Sequence, residues 1–506
     1  MRFLARAAER DEIKRMWERT GRGLLPTGLW ALAVALLSAC AVRSTPRTQT
    51  IDPSGTWEGE VRTADARFPL TASFERISSG WQGLVDVPNQ YAQQYPLVDV
   101  RIGSGSIRFS FPDAMPPGVF EGELERGRIR GQFRSPVGTD TLSGTFELWR
   151  RPAEARPYNI ESIRFRNGNL SLAGTVFRPK TPGPHPGVVF VHGSGPQTRD
   201  SYLRWFADKF VRAGFVTLIY DKRGTGDSEG ERWLETSGTF GDLADDAAAG
   251  VRFLRDQVGV DANRIGVWGL SQGAWIAPLA AVRAPGLVRF LIMLSGGGVS
   301  PAEQELYDDE VKLRDLGFDK TAITDALAYL KLADQYVRTQ SDEDWHRFEL
   351  SRDQVRNKPW YPHLDRFPQI LPREAPAWRG LRADLDYDPE PALSRVHVPV
   401  LLILGEQDRL TPARETEIRV RRALGRGGEA SLTVSLLAGA DHALMVKPTP
   451  QAPWVSERPA DNWVASMIDW ARKLRWVRHD AAVGDQPVVR RRRTGRVCSC
   501  PCRGRV

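Results

Sequence analysis

Two rhythms of apolar and polar residues divide this chain. Between residues 52 and 150 they alternate in short runs, such as Gly55-Thr56-Trp57-Glu58-Gly59-Glu60-Val61, Ser106-Ile107-Arg108-Phe109-Ser110-Phe111 and Leu142-Ser143-Gly144-Thr145-Phe146-Glu147-Leu148-Trp149. Glycines and prolines punctuate these runs at roughly ten-residue intervals. Period-two alternation cut by turn residues predicts a small antiparallel β barrel or sandwich domain. No histidine or cysteine falls within 41–184, so no catalytic cluster is visible in this unit. It reads as structural support, a binding module or an inert spacer.

Arg151 to Tyr158 reads as a linker, and a second domain spans 155–475. Two strand-like runs flank Asn167-Gly168-Asn169, a hairpin signal. Beyond it, β-prone apolar runs at Val188–Val191, Val216–Tyr220, Ile265–Trp268 and Phe290–Leu294 alternate with helical spacing near Tyr202–Ala213, Leu243–Val258 and 272–283. Such alternation implies an α/β domain, a mostly parallel sheet with helices on both faces. Residues 299–394 break the rhythm. They are charged, helix-patterned and contain Trp345, Trp360 and Trp378, which reads as a helical cap inserted over the sheet. Strand patterning returns at Val400–Leu404 and Leu432–Leu437, with a closing helix near Asn462–Leu474.

The net charge of +8 changes meaning once it is located. Residues 1–39 carry +3 and residues 476–506 carry +6, leaving about −1 for 40–475. A near-neutral body gives no support to nucleic-acid binding. The N-terminal charge precedes a short apolar stretch, Gly23–Leu37, that falls short of the roughly 20 residues needed to span a bilayer. Ser38 and Ala39 follow, then Cys40, so 1–39 reads as a signal peptide. Leu37-Ser38-Ala39-Cys40 resembles a bacterial lipobox, which implies lipidation of Cys40 and work at the cell envelope. An ordinary signal peptide or an uncleaved anchor are the alternatives, and a start at Met16 would give a more usual signal. Residues 40–51 form a polar linker. The remaining cysteines, Cys498, Cys500 and Cys502, sit in a basic tail, 476–506, that reads as disordered. With no cysteine in the core, a disulfide framework is excluded.

The densest chemistry lies in Ile265-Gly266-Val267-Trp268-Gly269-Leu270-Ser271-Gln272-Gly273-Ala274. Strand, G-x-S-x-G and helix in succession is the context of a nucleophile elbow, with Ser271 as the nucleophile. The turn is so tight that residues two either side of the serine must lack bulk. At a helix N-terminus, free amides and the macrodipole favour developing negative charge.

Further motifs follow in order: Val191-His192-Gly193-Ser194-Gly195-Pro196, Tyr220-Asp221-Lys222-Arg223-Gly224-Thr225-Gly226-Asp227-Ser228, Gly405-Glu406-Gln407-Asp408-Arg409 and Gly439-Ala440-Asp441-His442. With them, residues 160–475 resemble the α/β-hydrolase superfamily. The narrower likeness is to bacterial carboxylesterases with a His-Gly-Ser-Gly-Pro loop and a β domain in front. The resemblance implies Asp408 as acid and His442 as base. It implies the N–H groups of Ser194 and Gln272 as oxyanion donors, with His192, Gly193 and Gly195 supporting that loop. Asp441 is the rival acid, though sequence neighbours rarely present side chains to each other. Asp200 and Ser201 read as an N-cap, and Lys222 and Arg223 as a solvated or salt-bridged loop, with attraction of an acidic substrate as the alternative.

The expectation is a serine esterase acting on a small acyl ester through an acyl-enzyme, with no metal or organic cofactor. A peptidase or amidase on the same triad is the alternative, as is a non-catalytic envelope binding protein.

Overall fold

A computed structural model describes residues 52–474, apart from 65–66, 112–117, 138–139, 153–154, 232–238, 365–371, 376–377, 428–430 and 448–457. The signal segment, Cys40, the linker to residue 51 and the basic tail lie outside the described residues.

The alternating region folds as β1 Gly55–Thr63, β2 Arg67–Ile77, β3 Gly80–Val87, β4 Ala92–Pro96, β5 Val98–Ile102, β6 Ser106–Ser110, β7 Val119–Glu125, β8 Arg128–Val137 and β9 Asp140–Arg151. Their order across the sheet is β4-β3-β2-β1-β9-β8-β7-β6-β5. The two edge strands are consecutive in the chain, separated by Leu97 alone, so the sheet must curl until its edges meet. Leu97 donates its N–H to Gly83 O of β3 at 2.8 Å, which carries the β3–β4 pairing onto the residue that joins the two edges. The result is a nearly closed antiparallel barrel. Alternation sends Trp57, Val85, Phe109 and Phe146 inward, each at most 2% exposed. Phe109 stacks on Phe120 at 4.7 Å and Phe146 meets both edge-on.

The barrel is not an inert spacer. The turn Pro88–Gln90 between β3 and β4 ends on Tyr91, whose φ of 54° turns its ring out of the barrel. That ring packs among Trp205, Phe206 and Trp463 of the second domain, at 4.9, 5.2 and 6.3 Å. Its hydroxyl donates to Leu444 O at 3.3 Å.

The second domain carries β10 Tyr158–Asn167, β11 Leu170–Pro179, β12 His185–Val191, β13 Val216–Tyr220, β14 Val260–Leu270, β15 Val288–Leu294, β16 Val400–Gly405 and β17 Leu432–Leu437. Gly168, at φ 59°, turns the first hairpin. Tyr158 is not linker: it opens β10, is 4% exposed, and donates its hydroxyl to Asp208 Oδ1 at 2.5 Å. The order is β10-β11-β13-β12-β14-β15-β16-β17, antiparallel as far as β13 and parallel thereafter.

Period-two geometry sorts these apolar strands onto two cores. Val189, Val267 and Leu291 face one, with α2 Phe240–Arg255 and α3 Gln272–Arg283. Their neighbours Phe190, Trp268 and Ile292 face the other, with Leu203–Arg212 (α1) and the closing helix Trp463–Lys473. Burial on both faces explains why the strands read as unbroken apolar runs.

Between β15 and β16 the chain forms the helical cap, chiefly α4 Pro301–Asp315, α5 Lys320–Thr339, α6 Asp342–Val355 and α7 Trp378–Asp384. Helix α4 starts with Pro301 after a reciprocal Ser300–Glu303 capping box, and the Asp319 side chain accepts from Ala322 N–H to cap α5. Trp360 packs with Tyr329 and Phe348, and Trp378 with Tyr336, so the cap has apolar cores of its own.

Truncating Tyr91 leaves a ring-sized gap between the domains. Tyr91→Ala is expected to cost roughly 3–5 kcal/mol, as buried aromatic truncations do, and Tyr91→Phe about 1 kcal/mol. Shifts in denaturation midpoint of the full chain measure both.

Candidate active site

Every loop bearing the sequence motifs leaves the C-terminal end of a parallel strand, the side of an open α/β sheet where ligands bind. Ser271 sits between β14 and α3 with φ 57° and ψ −116°, a conformation costly for any residue with a side chain. Its N–H donates to Leu294 O at 2.8 Å, tying the turn to the adjacent strand. The glycines around it are sterically compelled. A Cβ on Gly269 would lie 2.0 Å from Gly273 O, and one on Gly273 would lie 2.7 Å from Val191 O.

His442, in the loop after β17, shares a hydrogen bond between its Nδ1 and Asp408 Oδ2 at 2.8 Å. Asp408 follows β16, is 3% exposed, and accepts on Oδ1 from the N–H groups of Leu410 and Thr411 at 2.8 Å each. Asp441 is turned away: its Oδ1 accepts from the N–H groups of Ala443 and Met445, shaping the loop itself. The cap grips the same place. Tyr307 of α4 donates to Asp408 O at 3.1 Å, and Thr411 Oγ1 donates to Gln304 Oε1 at 3.1 Å.

The loop after β12 holds Gly193, Ser194 and Gly195. His192 is buried at its root, with Nε2 bonded to Tyr220 O and its ring edge-on to Tyr220 at 4.8 Å. Burial, then the nearby charge of Lys222, pushes this imidazole down to about 3, so it stays neutral. Gly193 N–H donates to Tyr202 Oη at 2.9 Å, and Gln197 Nε2 donates to Ser194 O at 2.8 Å. Gln272 N–H is the first of α3, where a helix has no acceptor of its own.

Lys222 departs from the sequence reading. Far from solvated, it is 2% exposed, and its Nζ donates to Gly193 O at 3.0 Å, Gly195 O at 3.1 Å and Gln272 Oε1 at 2.6 Å. Arg223 points elsewhere, pairing with Asp246 and Asp242 of α2. Asp200 pairs with Arg204, and Tyr202 rather than either Asp200 or Ser201 occupies the N-cap of α1.

Sequence reasoning missed Asp384, the last residue of α7. Both its carboxylate oxygens accept from Phe240 N–H, at 3.0 Å, latching the cap onto the N-terminus of α2. Among the described residues, no group of three or more His, Cys, Asp or Glu side chains is placed to hold a metal ion.

A serine on a strained strand-to-helix turn, in an eight-stranded sheet of this order with a helical cap, defines a hydrolase of the α/β-hydrolase fold. The sequence profile described as X-Pro dipeptidyl-peptidase (S15 family) matches residues 167–435, and the chain belongs to that family. It is 32% identical over 113 residues to the quorum-quenching protein AidA of Acinetobacter baumannii, a match covering 22% of this chain and 36% of that protein. Esterase EstD of Thermotoga maritima is 27% identical over 312 residues, covering 59% of this chain and 66% of EstD. The chain thus spans about a third of the first relative's length and just under two thirds of the second's. An esterase structure from Pyrococcus furiosus aligns with a TM-score of 0.38 at 16% identity, covering 64% of this chain and 95% of that one.

Asp384 gives the site a pH signature. Burial pushes its carboxyl up to about 7; the Phe240 N–H pulls the other way, Asp242 adds to the rise, and Lys222 opposes it. From the ordinary 3.8 up to about 7, the folded chain therefore holds a proton that the unfolded chain has released. Stability contributed here falls as pH rises through that window and levels off above it. Asp384→Asn keeps an acceptor for Phe240 N–H without the charge. Thermal unfolding between pH 5 and 8 is expected to show a flatter profile for the variant than for the wild type.

Proposed function

We propose that this protein is a serine esterase, cleaving small carboxylic esters through an acyl-enzyme. The observation that carries the reading is the 2.8 Å bond between His442 Nδ1 and the buried Asp408, in a chain that also sets Ser271 on an elbow. A carboxylate accepting at Nδ1 places the proton there and leaves Nε2 as the base. In this mechanism Ser271 Oγ attacks the ester carbonyl while His442 takes its proton. The carbonyl oxygen becomes an oxyanion received by the N–H groups of Ser194 and Gln272. Collapse breaks the ester C–O bond, with His442 returning the proton to the alcohol. Water, deprotonated by the same imidazole, then releases the acid.

Ester cleavage takes precedence because EstD matches 59% of the chain and is an esterase. Cleavage of an X-Pro peptide bond is the second reading, and the S15 family membership favours it. Both use one nucleophile, so two substrate classes separate them. p-Nitrophenyl acyl esters are expected to turn over, with X-Pro anilides at least tenfold slower in kcat/KM. A fluorophosphonate probe is expected to label wild type and not Ser271→Ala. Faster anilide cleavage would establish the peptidase instead, and an unlabelled wild type would return the chain to a binding role.

We propose further that Cys40 is lipidated and tethers the enzyme at the cell envelope, on the strength of Leu37-Ser38-Ala39-Cys40. Incorporation of labelled palmitate in a bacterial host is expected for wild type and lost in Cys40→Ser.

A further inference from the structure

We propose that Lys222 is a positioning residue that holds both oxyanion donors through a single buried ammonium. This rests on the esterase reading above, which assigns those donors to Ser194 and Gln272. An ammonium has three hydrogens, and acceptors among the described residues include Gly193 O, Gly195 O and Gln272 Oε1, at 3.0, 3.1 and 2.6 Å. A charge only 2% exposed is costly to bury unless its donors are met, so these contacts are strongly held.

The direction of the Ser194 N–H follows from the first of those bonds. The sole cis peptide among the described residues is Gly183–Pro184, so the Gly193–Ser194 bond is trans. In a planar trans peptide the C=O and N–H point in opposite directions. Drawing Gly193 O onto Lys222 therefore aims the Ser194 N–H away from the ammonium. No acceptor for that N–H is found among the described residues. The bond to Gly195 O fixes the far side of the same loop, where glycine at φ 86° would otherwise be free to turn. The third bond reaches the side chain of Gln272, the residue whose own N–H opens α3.

Lys222 lies two residues beyond β13, which neighbours β12, while Gln272 follows β14 on the other side of β12. One side chain thus spans the two loops between which the oxyanion must form. The loop carbonyls and amides are pre-oriented before substrate arrives, which is how an oxyanion hole avoids reorganisation cost during reaction. Burial keeps His192 beneath the loop neutral, and the Lys222 charge adds to that effect.

The test compares the wild type with Lys222→Met, and with Lys222→Gln, which keeps two donors but no charge. Each is assayed on a p-nitrophenyl ester and titrated with a trifluoromethyl ketone. That ketone accepts Ser271 Oγ at its carbonyl carbon, the C=O pair moves onto oxygen, and the serine proton passes to His442. It therefore reports oxyanion binding without turnover. The expected result is a kcat lower by about 10²–10³-fold in Lys222→Met, the range for loss of an oxyanion donor. KM should change by less than about threefold, and the ketone's inhibition constant should rise in proportion to the loss in kcat/KM. Lys222→Gln should fall between the two and follow the same proportionality, which keeps the test open if the Met variant does not fold. A folded variant whose kcat/KM drops while the ketone binds as tightly as before overturns the proposal. So does a variant with activity within threefold of wild type. A wild type that neither hydrolyses esters nor takes the fluorophosphonate overturns the esterase reading instead.

Discussion

A strand buried on both faces can carry no polar work along its length, because every backbone group there is committed to the ladder and every side chain to a core. In this domain the constraint is met by Val188, Val189, Phe190, Ile265, Val267 and Trp268, none of them measurably exposed. All chemistry is therefore pushed to the strand ends, and all of it emerges on one side because the strands run parallel. Loops from β12, β13, β14, β16 and β17 are brought side by side although they are spread over some 250 residues of sequence. The sheet supplies the convergence, and local turns such as the Ser271 elbow need only aim what it delivers.

Legibility of the sequence followed this division. The buried strands were readable as apolar runs, and Val216–Tyr220 and Leu432–Leu437 occupy the residues their pattern indicates. The elbow was readable too, because its steric demand falls on Gly269 and Gly273, inside one short motif. What could not be read were contacts made between motifs. Lys222 looks like an ordinary loop cation until the fold sets three carbonyl oxygens around it. Tyr91 sits in an alternating β region and gives no sign that its ring belongs to another domain's core. Asp384 lies 144 residues from the Phe240 N–H it accepts from, and no local rule links them. Charge on a side chain is visible in a sequence, but the acceptors that decide its role are not.

The cap is joined to the sheet at opposite ends of its own run. At its start, Gln304 and Tyr307 hold the turn that carries Asp408; at its end, Asp384 holds the N-terminus of α2. Between these roots it packs on itself, with Tyr329, Phe348 and Trp360 forming a separate core. Its internal packing and its attachment thus use different residues. Substitutions inside the cap can reshape what lies over the site without disturbing the carboxylate beneath it.

The ring of Tyr91 has a comparable bearing on the barrel. It ends on Leu444 O, two residues past the imidazole at 442, in a loop where Leu444 itself adopts φ 60°. Excising the barrel to obtain a minimal enzyme would strip one wall from the histidine's own loop and bare Trp205, Phe206 and Trp463 to water. Through that one ring, the N-terminal module plugs an apolar recess of the second domain.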